Sequence, residues 1–177
     1  MPEVRLATPT DAQALALLAE STFRETYESC NTQENMDDYC QKNYSSSAQL
    51  KEILDPKMMT FISESNGEPI AFAQLRWSMT PECVAAVKPG ELQRLYVKKN
   101  WFGKGIAPRL MEHCIKELSN KGADMIWLGV WEHNPRAIAF YKKVGFREAG
   151  AHNFQLGSEH QRDIIMVRPL SHFNQNQ

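Results

Sequence analysis

The sequence predicts a single α+β domain, in which a mixed, mostly antiparallel sheet of about seven strands is flanked by helices. Three observations support this. The chain of 177 residues has the length of one domain. Strand-like and helix-like apolar patterns follow one another in the order β-α-α-β-β-β-α-β-α-β-β. No repeat or linker interrupts them, so we expect one domain over residues 1–170 and a polar tail over 171–177.

The composition argues against several classes of protein. A net charge of −1 and the absence of a basic run give no electrostatic case for nucleic acid. We find no signal peptide and no apolar run of transmembrane length. The four cysteines form no C-x-x-C pair, and the five histidines have no ligand-like spacing with them. We therefore expect free thiols, no metal and a cytoplasmic location.

The first third of the chain predicts one strand followed by helices. Residues 4–7 form a short strand, and Thr8 then caps a helix that has Pro9 at its first position. Asn31 begins a second helix. The serines at 45–47 predict a cap and a turn, because the apolar spacing of a short helix resumes directly after them.

The remaining elements are mostly strands. The dipeptide Asn66-Gly67 predicts a two-residue turn between two strands, and a loop with two prolines follows the second of them. A near-continuous apolar run after the longest helix predicts a strand deep in the sheet. The expected strands cover 58–64, 70–77, 91–97, 125–130, 146–156 and 163–167, with helices over 106–121 and 134–145.

A strand, a glycine turn and a helix follow one another at residues 91–118. Alternation in the strand places Leu92, Arg94 and Tyr96 on one face and Gln93, Leu95 and Val97 on the other. Small residues in the turn let backbone N–H groups approach an anion at the helix N-terminus. Two glycines alone equally fit a tight turn with positive φ. The small residues are Gly103, Gly105 and Ala107.

Two other phosphate-binding loops do not fit this turn. A Walker A loop needs Ser or Thr after Gly-Lys, whereas Gly103-Lys104 is followed by Gly105. A dinucleotide fingerprint needs a third glycine, where Arg109 and its neighbours stand. A dinucleotide enzyme is therefore only a distant alternative.

The residues 95–107 instead resemble the acyl-CoA loop of the GCN5-related N-acetyltransferase (GNAT) superfamily, written Q/R-x-x-G-x-G/A. The last two small positions fall on Gly105 and Ala107, and the first position is Phe102 rather than Gln or Arg. The substitution removes one side chain from the anion site and leaves the backbone donors. We expect it to weaken cofactor affinity at most.

Residues 130–146 resemble the other signature segment of that superfamily, so the likeness covers nearly the whole chain. The matching positions are Asn134, Ala137, Phe140, Tyr141, Lys143, Gly145 and Phe146. Residues 154–157, followed by Asp163, Ile165 and Met166, are similar to the C-terminal strands of bacterial polyamine N-acetyltransferases.

The resemblance implies acetyl-CoA as cofactor and a set of residues that hold it. The loop would take the pyrophosphate, the backbone of the central strand would pair with the pantetheine arm, and Asn134 would both cap a helix and hold that arm. The implied cofactor-binding residues are Leu95, Tyr96, Val97, Phe102, Gly103, Lys104, Gly105, Ile106, Ala107, Asn134 and Tyr141.

The resemblance also implies two catalytic residues. Tyr141 would donate a proton to the leaving thiolate, although without the motif its helical spacing favours a core aromatic residue. Glu91 would be the base that removes a proton from the amine, and its alternative is an exposed charge at a strand end. Glu132 is a reserve base. No cysteine lies in either motif, so a cysteine nucleophile is not supported.

Together these features predict a cytoplasmic N-acetyltransferase in which a primary amine attacks acetyl-CoA directly within a ternary complex. The rival is a non-catalytic acyl-CoA sensor or scaffold with the same fold. Residues 24–38 carry five acids against one arginine, which would favour a polyamine or a lysine side chain. Ordinary solvent-facing helix charges explain them as well. The sequence leaves the oligomeric state open, a homodimer among the options.

Overall fold

The computed structural model of the chain describes residues 2–171, apart from the side chain of Phe154. The predicted tail, 171–177, lies outside the described residues except for Ser171. Within them the chain forms seven strands and five α-helices: β1 (Glu3–Leu6), α1 (Ala12–Tyr27), α2 (Gln33–Tyr44), α3 (Ser46–Leu54), β2 (Met58–Ser65), β3 (Glu68–Arg76), β4 (Pro89–Val97), α4 (Ile106–Asn120), β5 (Met125–Trp131), α5 (Pro135–Lys143), β6 (Arg147–Leu156) and β7 (Glu159–Pro169).

One mixed sheet organises the domain and confirms the predicted α+β class. Its strand order is β1-β2-β3-β4-β5-β7-β6, and every neighbouring pair is antiparallel except β4 and β5. The short helix that the serines predicted is α3, which makes three helices before β2 where the predicted order counted two. Its cap is Ser45, whose side chain accepts from the Ala48 N–H.

The two parallel strands separate soon after they pair. Residues 89–91 of β4 pair with residues 125–127 of β5, and no pairing continues beyond Glu91 and Trp127. The rest of β4 therefore keeps a partner on only one side, where β3 lies. The gap opens a cleft in the middle of the sheet.

A β-bulge lies at the point where the strands part. Arg94 pairs with Gln74 and Leu92 pairs with Leu75, so Gln93 has no partner on β3. The predicted alternation of side chains along β4 is therefore wrong on the N-terminal side of the bulge. The extra residue shifts the period by one, and Leu92 joins Leu95 and Val97 on the side of the sheet that packs against α4.

Apolar cores cover the sheet on both faces. On one face, α4 and α5 bury Leu110, Leu118 and Ile126 completely. On the other face, α1 and α2 pack Phe23 and Met36 against β3. Helical spacing of the apolar residues in α1 and α4 produces these faces, because residues three and four apart lie on one side of a helix.

Two hairpins connect neighbouring strands of the sheet. The predicted Asn66-Gly67 turn is confirmed, with φ of 52° and 77° at its two residues. The hairpin of β6 and β7 is longer than expected, because β7 begins at Glu159 rather than at Asp163. Its tip reaches α2, where the Asn35 amide donates to the Ser158 hydroxyl over 3.5 Å. This contact joins the tip of the hairpin to α2.

No helix of residues 2–171 is both long and apolar enough to cross a bilayer.

Candidate active site

The glycine loop before α4 presents a row of backbone donors to open space. Gly103 and Gly105 have φ of 73° and 76°, and a Cβ placed on either residue would meet no atom within 4 Å. Among the described residues, no acceptor takes the backbone N–H groups of residues 103–107. Glycine is required here by the backbone conformation. The unpaired donors and the helix dipole make the loop an anion-binding cradle.

The free edge of β4 continues from this cradle into the cleft. The Lys98 N–H donates to the Ile70 carbonyl on β3 over 2.9 Å. Since successive residues of a strand direct their backbone groups to opposite sides, Val97 and Leu95 direct theirs towards the cleft, where β5 has moved away. An extended chain could pair with these groups as an added strand.

Asn134 begins α5 on the far side of the cleft. Its side-chain Oδ1 accepts from the Ala137 N–H over 3.2 Å, which confirms the predicted cap. Its Nδ2 donates to no described residue, so that group is free for a ligand. The predicted contact of Asn134 with the cofactor arm stays a prediction.

Tyr141 lies on the buried face of α5. Its ring is 8% exposed and packs against Phe146, with ring centroids 5.6 Å apart. The hydroxyl donates to no described residue. Burial raises the pKa of Tyr141 well above its usual value, and the nearby Cys114 contributes to the rise. The residue is thus both a core aromatic and a phenol that keeps its proton at neutral pH.

Glu91 is buried and already bound to other side chains. Its carboxylate accepts from Arg76 through Nε at 2.8 Å and Nη2 at 2.9 Å, and from the Ser78 hydroxyl at 3.2 Å. This is a bidentate guanidinium pair, not the exposed strand-end charge of the alternative interpretation. The base role of Glu91 stays a prediction. The reserve base, Glu132, forms a more exposed pair with Arg162 at 3.1 Å.

A cavity of about 620 Å³ lies between the cleft, α1, α2 and the β6–β7 hairpin; we call it the acceptor pocket. Its wall is aromatic, and its polar groups come from four strands. The aromatic residues include Tyr27, Tyr39, Tyr44, Tyr96 and Trp127, and the charged or polar strand residues include Arg76, Glu91, Gln93, Arg94, His152 and Asp163. A larger groove of about 920 Å³ between α4 and the end of α5 contains none of the predicted site residues.

The five acids of residues 24–38 are exposed, and none of them lines the acceptor pocket. Arg24 pairs with Asp37 at 2.6 Å and with Glu20 at 2.9 Å. The acids therefore occupy solvent-facing sides of two helices, as the alternative interpretation held. They act at most on the approach of a charged acceptor.

The protein comparisons agree with this geometry. The model of the acetyltransferase (GNAT) family matches residues 14–146. The chain belongs to the GNAT family. It is 31% identical over 161 residues to an uncharacterized N-acetyltransferase of Mycobacterium tuberculosis strain H37Rv, over 91% of this chain and 99% of that protein. The GNAT protein described here is thus an N-acetyltransferase, and acetyl-CoA is its cofactor.

Two further relatives extend the comparison. The Escherichia coli K12 [ribosomal protein bS18]-alanine N-acetyltransferase is 30% identical over 117 residues, which are 65% of this chain and 74% of that enzyme. The PaiA N-acetyltransferase of Thermoplasma acidophilum, solved in complex with coenzyme A, has a TM-score of 0.79 at 24% identity, over 96% of this chain and 99% of that one. The second likeness shows the GNAT fold.

Phe102 departs from the GNAT loop motif, which has Gln or Arg at this position, but its ring contacts a cationic side chain. The Arg136 guanidinium, from the first turn of α5, lies over its ring with Cζ 3.5 Å from the centroid. Trp101, the residue before Phe102, is in a similar contact: Lys104 Nζ lies 4.7 Å from the centroid of its ring. Stacking on an aromatic face is favourable for a guanidinium. It places a positive charge beside the position where the motif has Gln or Arg.

We expect Arg136→Ala to weaken coenzyme A binding by about 3- to 10-fold, because it removes one cation that the Phe102 ring holds beside the position of a polyanion. Isothermal titration calorimetry with coenzyme A measures the change. Lys142→Ala is the matched control, since Lys142 lies on the same helix and pairs with Glu148. Equal affinities for both variants would contradict a role for Arg136.

The sequence analysis did not identify three polar residues of the acceptor pocket: Gln93, His152 and Asp163. Gln93 reaches the pocket through the bulge, which no alternating pattern reveals. Asp163 was noted only within a likeness, yet it stands directly before the apolar residues 164–167 of β7. A single carboxylate at the start of such a run is the signal that could have identified it.

Within residues 2–171, no group of three or more His, Cys, Asp or Glu side chains is arranged to hold a metal ion. The four cysteines are free, with Cys40 and Cys114 buried and Cys30 and Cys83 exposed.

Proposed function

We propose that this protein transfers the acetyl group of acetyl-CoA to a primary amine on a small cationic acceptor, within a ternary complex. One observation carries the proposal. The cleft between β4 and β5 joins an anion cradle and a free strand edge to a pocket that is aromatic and contains carboxylates. Donor and acceptor would then meet at the bulge of β4, without a covalent intermediate on the enzyme.

The residues of the cleft fit the cofactor. Acetyl-CoA supplies an acetyl group already activated as a thioester. The N–H groups of residues 103–107 would bind its pyrophosphate, with Lys104 and the stacked Arg136 nearby. The backbone of Leu95 and Val97 would align its extended arm, and Asn134 Nδ2 would hold the arm from the other side.

Tyr141 would supply a proton at its Oη to the leaving group. Because burial raises its pKa, the phenol stays protonated throughout the neutral and mildly alkaline range. A protonated, unpaired hydroxyl is what a general acid requires. The same burial means that ionisation of Tyr141 does not limit activity as pH rises towards 9.

The acceptor pocket favours a cation. Arg76 is paired with Glu91, and Arg94 is paired with Glu52 at 2.7 Å. Once these pairs are counted, the carboxylate of Asp163 is left without a cationic partner of fixed charge. The tyrosine rings around it add favourable faces for an ammonium group. A neutral or acidic amine would gain neither interaction.

We therefore expect the cationic amines of a panel, namely spermidine, a lysyl peptide and an aminoglycoside, to be acetylated with higher kcat/KM than glutamate. The exposed acids of residues 24–38 steer cations towards the pocket, so the cationic preference should weaken when salt is raised from about 0.05 to 0.5 M. The measurement is kcat/KM for the four amines at both salt concentrations. A preference for glutamate, or one that salt does not change, would contradict the cationic acceptor.

The related enzyme of E. coli K12 is named for the acetylation of an alanine of ribosomal protein bS18. An alanyl peptide therefore belongs in the same panel, as the arm that would reveal a protein N-terminus as acceptor. Release of free thiol from acetyl-CoA distinguishes catalysis from the scaffold alternative. Tight binding of coenzyme A without thiol release on any amine would support the scaffold.

A further inference from the structure

We propose that Asp163, rather than Glu91, is the catalytic base that takes a proton from the ammonium group of the acceptor, and that Gln93 orients that ammonium. The inference rests on the proposed function and assigns the residues that activate the acceptor. It follows from the positions of three polar groups in the acceptor pocket.

Asp163 stands in the pocket without a hydrogen-bond donor. It lies on β7 opposite Trp131 of β5, and its side chain is 15% exposed. Among the described residues, its ion-pair partner is His152, with Nε2 3.9 Å from Oδ2, which is beyond hydrogen-bond distance. A carboxylate held in this way has free lone pairs for a donor that arrives with the substrate.

Glu91 offers no comparable capacity. Three donors from Arg76 and Ser78 occupy its two oxygens. A proton on Glu91 would break a bidentate pair and leave the Arg76 guanidinium without its partner. We therefore assign Glu91 to holding Arg76 and the start of β4.

The space in front of Asp163 is kept open by a glycine. A Cβ on Gly129 of β5 would lie 3.2 Å from Asp163 Oδ2 and 3.5 Å from His152 Cε1. Any larger side chain at residue 129 would therefore cover the carboxylate. Gly129 lines the pocket, and β5 carries side chains at both neighbouring positions, Leu128 and Val130. The bare backbone at this one position leaves a path from the pocket to the carboxylate.

Gln93 supplies a second acceptor. Its Oε1 is buried and has no hydrogen-bond partner among the described residues, and the bulge directs the residue into the pocket. An unpaired buried carbonyl costs about 1–3 kcal/mol. An ammonium group has three N–H donors. It can donate to Gln93 and to Asp163 together, which removes that cost when the acceptor binds.

The proton step balances without another reagent. One N–H bond of the ammonium breaks and one O–H bond forms on Asp163. The electron pair stays on the nitrogen, which is then a neutral amine able to attack the acetyl carbonyl carbon. The carboxyl group afterwards returns its proton to solvent.

The surroundings of Asp163 make it a better base than a solvent-exposed carboxylate. Burial raises the pKa of Asp163, and His152 on β6 opposes that rise. A higher pKa brings the carboxylate closer to the amine in basicity, and the carboxylate form persists at every pH above that pKa. The other titratable or charged groups that face the pocket are Tyr27 of α1, Tyr39 and Tyr44 of α2, Arg76 of β3, and Glu91, Arg94 and Tyr96 of β4.

The test is the pH dependence of Asp163→Asn. Without a base, the variant depends on amine that is already neutral, which is about 0.1% of a lysine-like amine at pH 7.5. We expect kcat/KM for spermidine to fall about 10²-fold at pH 7.5. Relative to wild type, the deficit should shrink about tenfold per pH unit and nearly vanish by pH 9.5. Glu159→Gln, an exposed acid on the same strand, is the control.

Further variants separate the roles. Gln93→Leu should raise KM for spermidine about tenfold and keep kcat, with the pH profile of wild type. Asp163→Ala should show the same pH slope as Asp163→Asn, which guards against a folding defect of one variant. The carboxyl NMR resonance of Asp163 can be assigned in carbon-labelled protein, because it is absent from the spectrum of Asp163→Asn. In the wild type, this resonance should shift when spermidine is added without acetyl-CoA.

Two outcomes would overturn this inference without contradicting the proposed function. One is a deficit of Asp163→Asn that is the same at every pH, which indicates a structural role. The other is a Glu91→Gln variant that shows the alkaline rescue while Asp163→Asn does not. If the wild type acetylates no amine in the panel, the proposed function fails, and this inference fails with it.

Discussion

Gly105→Glu is expected to abolish the binding of acetyl-CoA. The new carboxylate would occupy the cradle formed by the N–H groups of residues 103–107 and would repel the pyrophosphate. At about 4 Å and an intermediate dielectric, one such pair of like charges costs about 4 kcal/mol, which corresponds to a loss of roughly 10³-fold in affinity. Calorimetry with coenzyme A measures the loss directly.

A matched control is Gly122→Glu at the other end of α4. Gly122 has a φ of 73°, against 76° for Gly105, so both variants carry the same left-handed strain, about 1–2 kcal/mol. The midpoint temperature of thermal unfolding should fall similarly in both variants, while only Gly105→Glu loses the ability to bind the cofactor. Unchanged coenzyme A affinity in folded Gly105→Glu protein would remove the loop from the cofactor site.

Tyr141→Phe is expected to lower kcat about 10²-fold, the usual contribution of a general acid. The phenylalanine keeps the ring contacts with Phe140 and Phe146. Because the lost hydroxyl donates to no described residue, the free energy of unfolding should change by less than about 1 kcal/mol. Steady-state kinetics and chemical denaturation measure the two effects.

The affinity of Tyr141→Phe for coenzyme A distinguishes a general acid from a residue that binds the cofactor. A general acid acts on the reaction, so calorimetry should give the same dissociation constant for Tyr141→Phe and wild type. The pH profile of the variant should also keep its acidic limb, because the raised pKa of Tyr141 places its ionisation outside the neutral range. An unchanged kcat would leave Tyr141 as a core aromatic residue alone.

The fold and the conformation of the glycine loop could be predicted from the sequence because their signals are local. The helical spacing of Leu110 and Leu118 fixes the buried face of α4. Asn66-Gly67 fixes a hairpin, since few other residues adopt positive φ twice in succession. The positive φ of Gly103 and Gly105 follows from the same backbone rule.

The partners of the charged groups could not be predicted in this way. Glu91 was expected to be either a base or a surface charge, yet Arg76, fifteen residues earlier, occupies it. The five acids of residues 24–38 suggested a site for a cation, but they face solvent, and the charged groups of the pocket come from β3, β4 and β7. A salt bridge depends on which side chains the folded sheet brings together, and no local pattern encodes that distance.

The sequence by itself determined the strands of this N-acetyltransferase, their order along the chain, and the glycine turn at the start of α4. Backbone propensity and apolar periodicity act over a few residues, which is why they can be read along the chain. The tertiary structure alone decided the acceptor side. It unpaired β4 from β5 after Glu91, turned Gln93 inward through one extra residue, and placed Asp163 of β7 in the same pocket. These three positions depend on pairs that join residues 20 to 36 positions apart in the chain, such as Gln74 with Arg94 and Glu91 with Trp127. Such pairing is settled only when the whole sheet forms.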